Sequence, residues 1–263
     1  SPEREAFWST DERRRRSSIP SVIDLNGPPP NKGVSPVGNP GPGLDSMKRL
    51  RDVSGTLMHL VLDYGGVVVE HGDERDHAAL LGVDPETDPY PGWLAYFAFR
   101  DGFLDSTAAY VDLLSTLTGA PPEACREYLD RTWLDPVFPE EHAEVLQRLA
   151  ADHTLVLFSN MVRPWLETVL AGRGVLECFD DLVVSSDIER PKPHPRGYVE
   201  CLPADDEPVA FVSDEYNEDL LMGETVGMAS VWVENDDENP YREPDARVSS
   251  LGDVPDVLDG LAQ

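Results

Sequence analysis

Through the second half of this chain, short apolar runs alternate with stretches whose apolar residues recur every three or four positions. The runs are Thr154–Phe158, Asp181–Ser185, Val209–Ser213 and Ser230–Glu234; an earlier one, His59–Leu62, ends abruptly at Asp63-Tyr64-Gly65-Gly66. Runs this short, apolar without strict alternation, suit strands of a parallel sheet covered on both faces. With helices between them they predict an α/β fold, a doubly wound, mostly parallel, five-stranded Rossmann-like sheet.

Between about residues 70 and 152 the spacing is helical only. Trp93 to Phe99 is strongly aromatic, and Ser106 suits the N-cap of a helix carrying Tyr110, Leu113, Leu114 and Leu117 and ended by Gly119. Pro121 and Pro122 open another, with Cys125, Tyr128, Leu129 and Trp133 on one face. This pattern predicts a helical insertion over the tip of the first strand. The expected organisation is an α/β core domain of residues 53–70 and 138–263, with residues 71–137 as an α-helical cap domain. Residues 1–52, rich in Pro, Gly, Ser and Arg and without periodicity, read as a disordered N-terminal extension, with Met47 or Met58 as candidate natural starts.

Charge sharpens this division. The formal net charge is −29, but residues 1–57 carry 9 Lys+Arg and 7 Asp+Glu, which leaves 12 and 43 of the totals of 21 and 50 for residues 58–263. The acidity therefore belongs to the folded body, which repels polyanions and argues against nucleic acid or an anionic membrane as partner. An acidic, lysine-poor surface also fits a halophile protein, since about 1 M salt shrinks the screening length to about 3 Å. Cys125, Cys178 and Cys201 lie far apart without metal-ligand spacing, which fits a reducing, cytoplasmic setting. No apolar stretch reaches the roughly 18 residues of a membrane span.

The strand ends and the loops that follow them collect the candidate chemistry. The first strand delivers Asp63, the second ends at Ser159-Asn160, and Lys192 stands ahead of a helix opened by Pro195. The fourth strand ends at Asp214, with Asp219 five residues on. Ligands of open α/β sheets bind outside the carboxyl ends of the strands, so these positions belong to one region. Lys192 is the only lysine in residues 58–263 and supplies a cation where an anionic ligand needs one. Taken singly, Ser159 also suits a strand terminus and Asp219 a solvated helix face. His71 and Arg100 suit either contact between the insertion and a ligand or a plain exposed role, and His194 reads as a turn residue.

Val61-Leu62-Asp63-Tyr64-Gly65-Gly66-Val67, Leu157-Phe158-Ser159-Asn160, Lys192-Pro193, and Phe211-Val212-Ser213-Asp214 with Asp219 and Gly227-Met228 resemble, in order, the four motifs of the haloacid dehalogenase superfamily. The resemblance covers residues 58–263. It implies a Mg2+-dependent phosphatase that hydrolyses a small phosphorylated metabolite through an aspartyl-phosphate on Asp63. Lys192 would neutralise charge, and Ser159 with the Asn160 amide would hold phosphoryl oxygens. Asp63, the Gly65 carbonyl, Asp214 and Asp219 would serve the metal.

One position departs from the family pattern. Most of its phosphatases carry a second aspartate two residues after the nucleophile, as general acid and then base; here that residue is Gly65. Such help is typically worth about a hundredfold to ten-thousandfold in rate. A residue of the insertion or the substrate supplies the proton, the leaving group needs little help, or the reaction is another one. The rival readings are a catalytically weak phosphate-binding or regulatory protein, and then a 2-haloacid dehalogenase. A dehalogenase attacks carbon without metal, which leaves the Asp214 and Asp219 pair without a reason, since neighbouring like charges resist ionisation.

Overall fold

The structure, a computed structural model, describes residues 57–188, 190–235 and 240–261, all within the compact unit Leu50–Gln263. The N-terminal extension expected over residues 1–52 lies outside the described residues. Six strands form one sheet: β1 His59–Leu62, β2 Thr154–Ser159, β3 Asp181–Val184, β4 Val209–Ser213, β5 Ala229–Val233 and β6 Ala246–Val248. Their order is β3-β2-β1-β4-β5-β6, and every neighbouring pair is parallel. The expected five-stranded count is corrected by β6. That strand has three residues, pairs only with β5 and buries only Val248, so it leaves no readable apolar run.

The nine helices among the described residues are α1 Pro91–Arg100, α2 Thr107–Thr118, α3 Pro122–Leu129, α4 Glu140–Asp152, α5 Arg163–Gly172, α6 Ser185–Ile188, α7 Pro195–Glu200, α8 Leu221–Thr225 and α9 Val254–Leu261. Helix α2 begins where the Ser106 hydroxyl accepts a hydrogen bond from the Ala109 amide, and it ends at Gly119, whose φ of 75° is the left-handed conformation that favours glycine. His194 caps α7, its Nδ1 accepting from the Arg196 amide at 3.2 Å.

Alternation along each strand divides the core between the two faces of the sheet. Leu60 and Leu62 of β1 join Leu155, Leu157, Ala210, Val212, Val231 and Val233 in one apolar cluster, while Val61 joins Val156, Phe158, Phe211 and Trp232 in the other. The first cluster runs on without a break into α1–α3, through Tyr90, Ala95, Tyr96, Phe99, Tyr110, Leu114 and Tyr128. At the junction Trp165 of α5 meets Tyr110 and Phe99 edge-on, with ring centroids 4.9 and 5.2 Å apart. The indole N–H of Trp165 donates to Thr107 Oγ1 at 2.9 Å, so the burial of this polar atom is compensated.

Two features of the sheet position the site. The register sets Leu62 of β1 level with Leu157 of β2 and Val212 of β4, so the three strands deliver their next residues to one place. The strand order also reverses between β1 and β4, the point at which a doubly wound sheet opens a crevice. The helical segment leaves and rejoins the sheet side by side: the Glu70 amide donates to the Val137 carbonyl at 2.9 Å. No helix among the described residues is long and apolar enough to cross a membrane.

Candidate active site

Asp63 follows β1 and is only 7% exposed. The Tyr64 amide donates to its Oδ1 at 2.7 Å, and Lys192 Nζ lies 2.7 Å from its Oδ2. The lysine also pairs with Asp219 Oδ2, and its Nζ lies over the rings of Phe158 and Phe211, 5.4 and 5.8 Å from their centroids. Burial opposes the charge on Lys192, but the carboxylates of Asp219 and Asp63 overcome it and hold the ammonium above its ordinary range. Ser213 Oγ lies 3.3 Å from Asp63 Oδ2 and 3.2 Å from Asp219 Oδ2, and Tyr198 donates to Asp219 Oδ1 at 3.2 Å. Asp219, 1% exposed, is thus surrounded by donors on both oxygens. Burial pushes its carboxyl upward, Lys192 pulls it back, and Asp63 adds to the rise.

Asp214 follows β4 and meets the glycine turn after Asp63. Its backbone carbonyl is fixed by the Trp232 indole at 2.9 Å and the Asn235 amide at 2.8 Å, which aims the carboxyl group at the glycine turn. Gly66 has φ 70°, and a Cβ there would lie 2.1 Å from Asp214 Oδ2. The carboxylate therefore occupies the space a side chain at 66 would need. Oδ2 meets His71 Nε2 at 2.7 Å, while Oδ1 is buried with no hydrogen-bond partner among the described residues. The hydrogen bond to Asp214 raises the pKa of His71 against the effect of burial. The same imidazole closes on Gly65: a Cβ at 65 would lie 3.2 Å from its Cε1 and 3.4 Å from its Nδ1. Where the family pattern has a carboxylate, this chain brings the edge of a histidine.

Ser159 and Asn160 complete the floor. The Ser159 hydroxyl accepts the Met161 amide at 3.1 Å, which leaves its own hydrogen free to point outward. Asn160 holds the backbone of Lys192 at both groups, its Oδ1 accepting the Lys192 amide at 2.6 Å and its Nδ2 donating to the Lys192 carbonyl at 3.3 Å. Above these residues opens a cavity of about 220 Å³, lined by Asp63, Gly65, His71, Ser159, Asn160 and Lys192 below and by Tyr96, Thr132 and Trp133 from the helical segment. Arg100 is not among the lining residues; it pairs with Asp101 and covers the Phe97 ring.

Asp63, Gly65, His71, Ser159, Asn160 and Lys192 thus come together around one cavity, with Asp214 and Asp219 in contact with them, whereas Arg100 does not join them. The carboxylates of Asp214 and Asp219 lie beneath the cavity rather than in its wall. Tyr96, Ser213 and Tyr198 are site residues that sequence reasoning missed. Ser213 stands in the quoted fourth motif, but nothing in the spacing of Tyr96 or Tyr198 separates either from a core aromatic. Among the described residues no group of three or more His, Cys, Asp or Glu side chains forms a ready cage for a metal ion.

The chain matches the family model for haloacid dehalogenase-like hydrolases over residues 52–227, and it belongs to that family. It is 28% identical over 145 residues to the phosphoserine phosphatase of Thermus thermophilus, an alignment that covers 52% of this chain and 58% of that relative's length. Its fold is similar to that of L-2-haloacid dehalogenase from Xanthobacter autotrophicus with chloropropionic acid covalently bound, at TM-score 0.56 and 18% identity over 78% of this chain and all of that one. It is equally similar to the HAD phosphatase of Thermococcus onnurineus, at TM-score 0.55 and 18% identity over 79% and 100% of the two chains. Such structural likeness shows a shared fold, and the fold hosts both carbon–halogen and phosphoester chemistry.

Proposed function

We propose that this hydrolase is a magnesium-dependent phosphomonoesterase acting on a small phosphorylated metabolite. The observation that carries the reading is Asp214 Oδ1, a buried carboxylate oxygen without a partner beside two further carboxylates, Asp63 and Asp219, and a single lysine. A buried charge is costly unless paired or bound to metal. Attack on carbon by Asp63 gives Asp214 no task, whereas a phosphomonoester calls for a second cation besides Lys192.

The donors fit magnesium, which takes oxygen ligands, keeps several waters and needs few carboxylates. Asp63, the Gly65 carbonyl and Asp214 would hold it, while Asp219, with donors on both oxygens, serves Lys192 first. When bound, the ion neutralises phosphoryl charge. The chain's own residues do the rest. Asp63 Oδ attacks phosphorus and the ester oxygen leaves, and water then releases phosphate from the aspartate. The Ser159 hydroxyl and the Asn160 amide hold phosphoryl oxygens, and Lys192 neutralises them from below. The imidazole edge at Gly65 faces the group that departs. Residues 71–137 act as a cap over the cavity, and its walls select the alcohol. The phosphoserine phosphatase relative supports a small substrate of this kind. The acidic body suits a high-salt cytoplasm.

The test is p-nitrophenyl phosphate hydrolysis in multimolar KCl, with magnesium or EDTA, by the native chain and by Asp63→Asn. Magnesium-dependent turnover lost in the variant is expected. Metal-independent release of halide from a 2-haloacid, with no phosphate released, would overturn the reading.

A further inference from the structure

One phenol of the helical segment hydrogen-bonds to the backbone at the floor of the site. The Tyr96 hydroxyl, on α1, donates to the Asn160 backbone carbonyl at 2.6 Å. Asn160 in turn pairs with both backbone groups of Lys192, and Lys192 Nζ contacts Asp63. A line of polar contacts, joined through the Asn160 and Lys192 residues themselves, therefore runs from α1 to the candidate nucleophile.

We propose that Tyr96 is a positioning residue, whose hydroxyl makes the alignment of Lys192 on Asp63 depend on α1; the proposal rests on the phosphomonoesterase reading. Its ring is fixed, stacked on Trp133 with centroids 4.3 Å apart and planes 12° from parallel. The hydroxyl therefore has one place to point. Burial also pushes the phenol pKa up, so the group stays a donor. Packing alone does not require this oxygen: Phe99, one turn on, fills the same aromatic cluster without one. A hydroxyl buried at 8% residue exposure costs free energy unless it is bonded, and the bond it makes is to the residue that holds the lysine. Loss of that bond frees the Asn160 carbonyl, loosens the Asn160–Lys192 pair and lets Nζ drift from the line of attack, where small displacements are costly.

Tyr96→Phe keeps the ring and its stack and removes one oxygen. In a variant that melts within a few degrees of the native chain, kcat for p-nitrophenyl phosphate is expected to fall about tenfold, with KM changed less than about twofold. Asn160→Ala should fall further, and the double variant should match Asn160→Ala, because both changes cut one line. Independently of turnover, hydrogen exchange at the Lys192 amide should be faster in Tyr96→Phe. Native kcat with native exchange in Tyr96→Phe, or losses that multiply in the double variant, would overturn the coupling while leaving the phosphatase reading intact. A native chain inert toward phosphomonoesters, in which Tyr96→Phe still speeds exchange at Lys192, would sink the phosphatase reading and keep the coupling.

Discussion

The two sides of Asp63 are built from the same residue type to opposite ends. On one side Asp219 has Lys192, Tyr198 and Ser213 around its two oxygens. On the other, Asp214 is also buried but, among the described residues, has His71 on one oxygen and no hydrogen-bond partner on the other. A satisfied buried carboxylate is a structural part, whereas an unsatisfied one is poised for a ligand. The comparison divides the work: Asp219 holds the lysine in place, and the proposed function gives Asp214 the cation.

Lys192→Met should break the comparison most severely. It leaves Asp63 and Asp219 facing each other in the core, so turnover should vanish and unfolding free energy fall by about 3–5 kcal/mol, read by denaturant titration. Gly66→Ala comes next. Its Cβ collides with Asp214 and its φ is positive, so about 1–3 kcal/mol of stability and all response to magnesium should go.

The paired test sharpens the division further. Asp219→Asn should cost about 1–3 kcal/mol, because it weakens hydrogen bonds to a charged group. Asp214→Asn should change stability by less than about 1 kcal/mol, yet magnesium, expected to raise the melting temperature of the native chain, should no longer raise that of the variant. Equal destabilisation by the two variants would erase the distinction. The smallest effect belongs to His71→Ala. Its loss should be about tenfold on an alkyl phosphate and about twofold on p-nitrophenyl phosphate, whose good leaving group needs less help. Equal losses on both would detach His71 from the leaving group.

Much of this site is legible in the sequence because strand ends are. An apolar run that stops at Asp63, Ser159 or Asp214 fixes where each side chain emerges, and a parallel sheet brings those ends together. Helix α2 lies between Ser106 and Gly119 as its spacing predicts. The rest depends on distances no spacing encodes. Tyr96 reads as a core aromatic, and it is buried as one, but its oxygen reaches a loop 64 residues away. The departure at Gly65 is plain in the sequence, while the imidazole that fills its place becomes visible only once the turn is folded. Strand β6 escapes because three residues at a sheet edge carry too little pattern.

Lys192, one of three lysines in the chain, has its ammonium above the rings of Phe158 and Phe211. Ring currents there shift the resonances of its terminal methylene away from those of a lysine in water. A sample isotopically labelled at lysine alone therefore carries its own spectroscopic reporter. That one displaced signal registers any change of charge or occupancy beside Asp63 without a probe being attached to the protein.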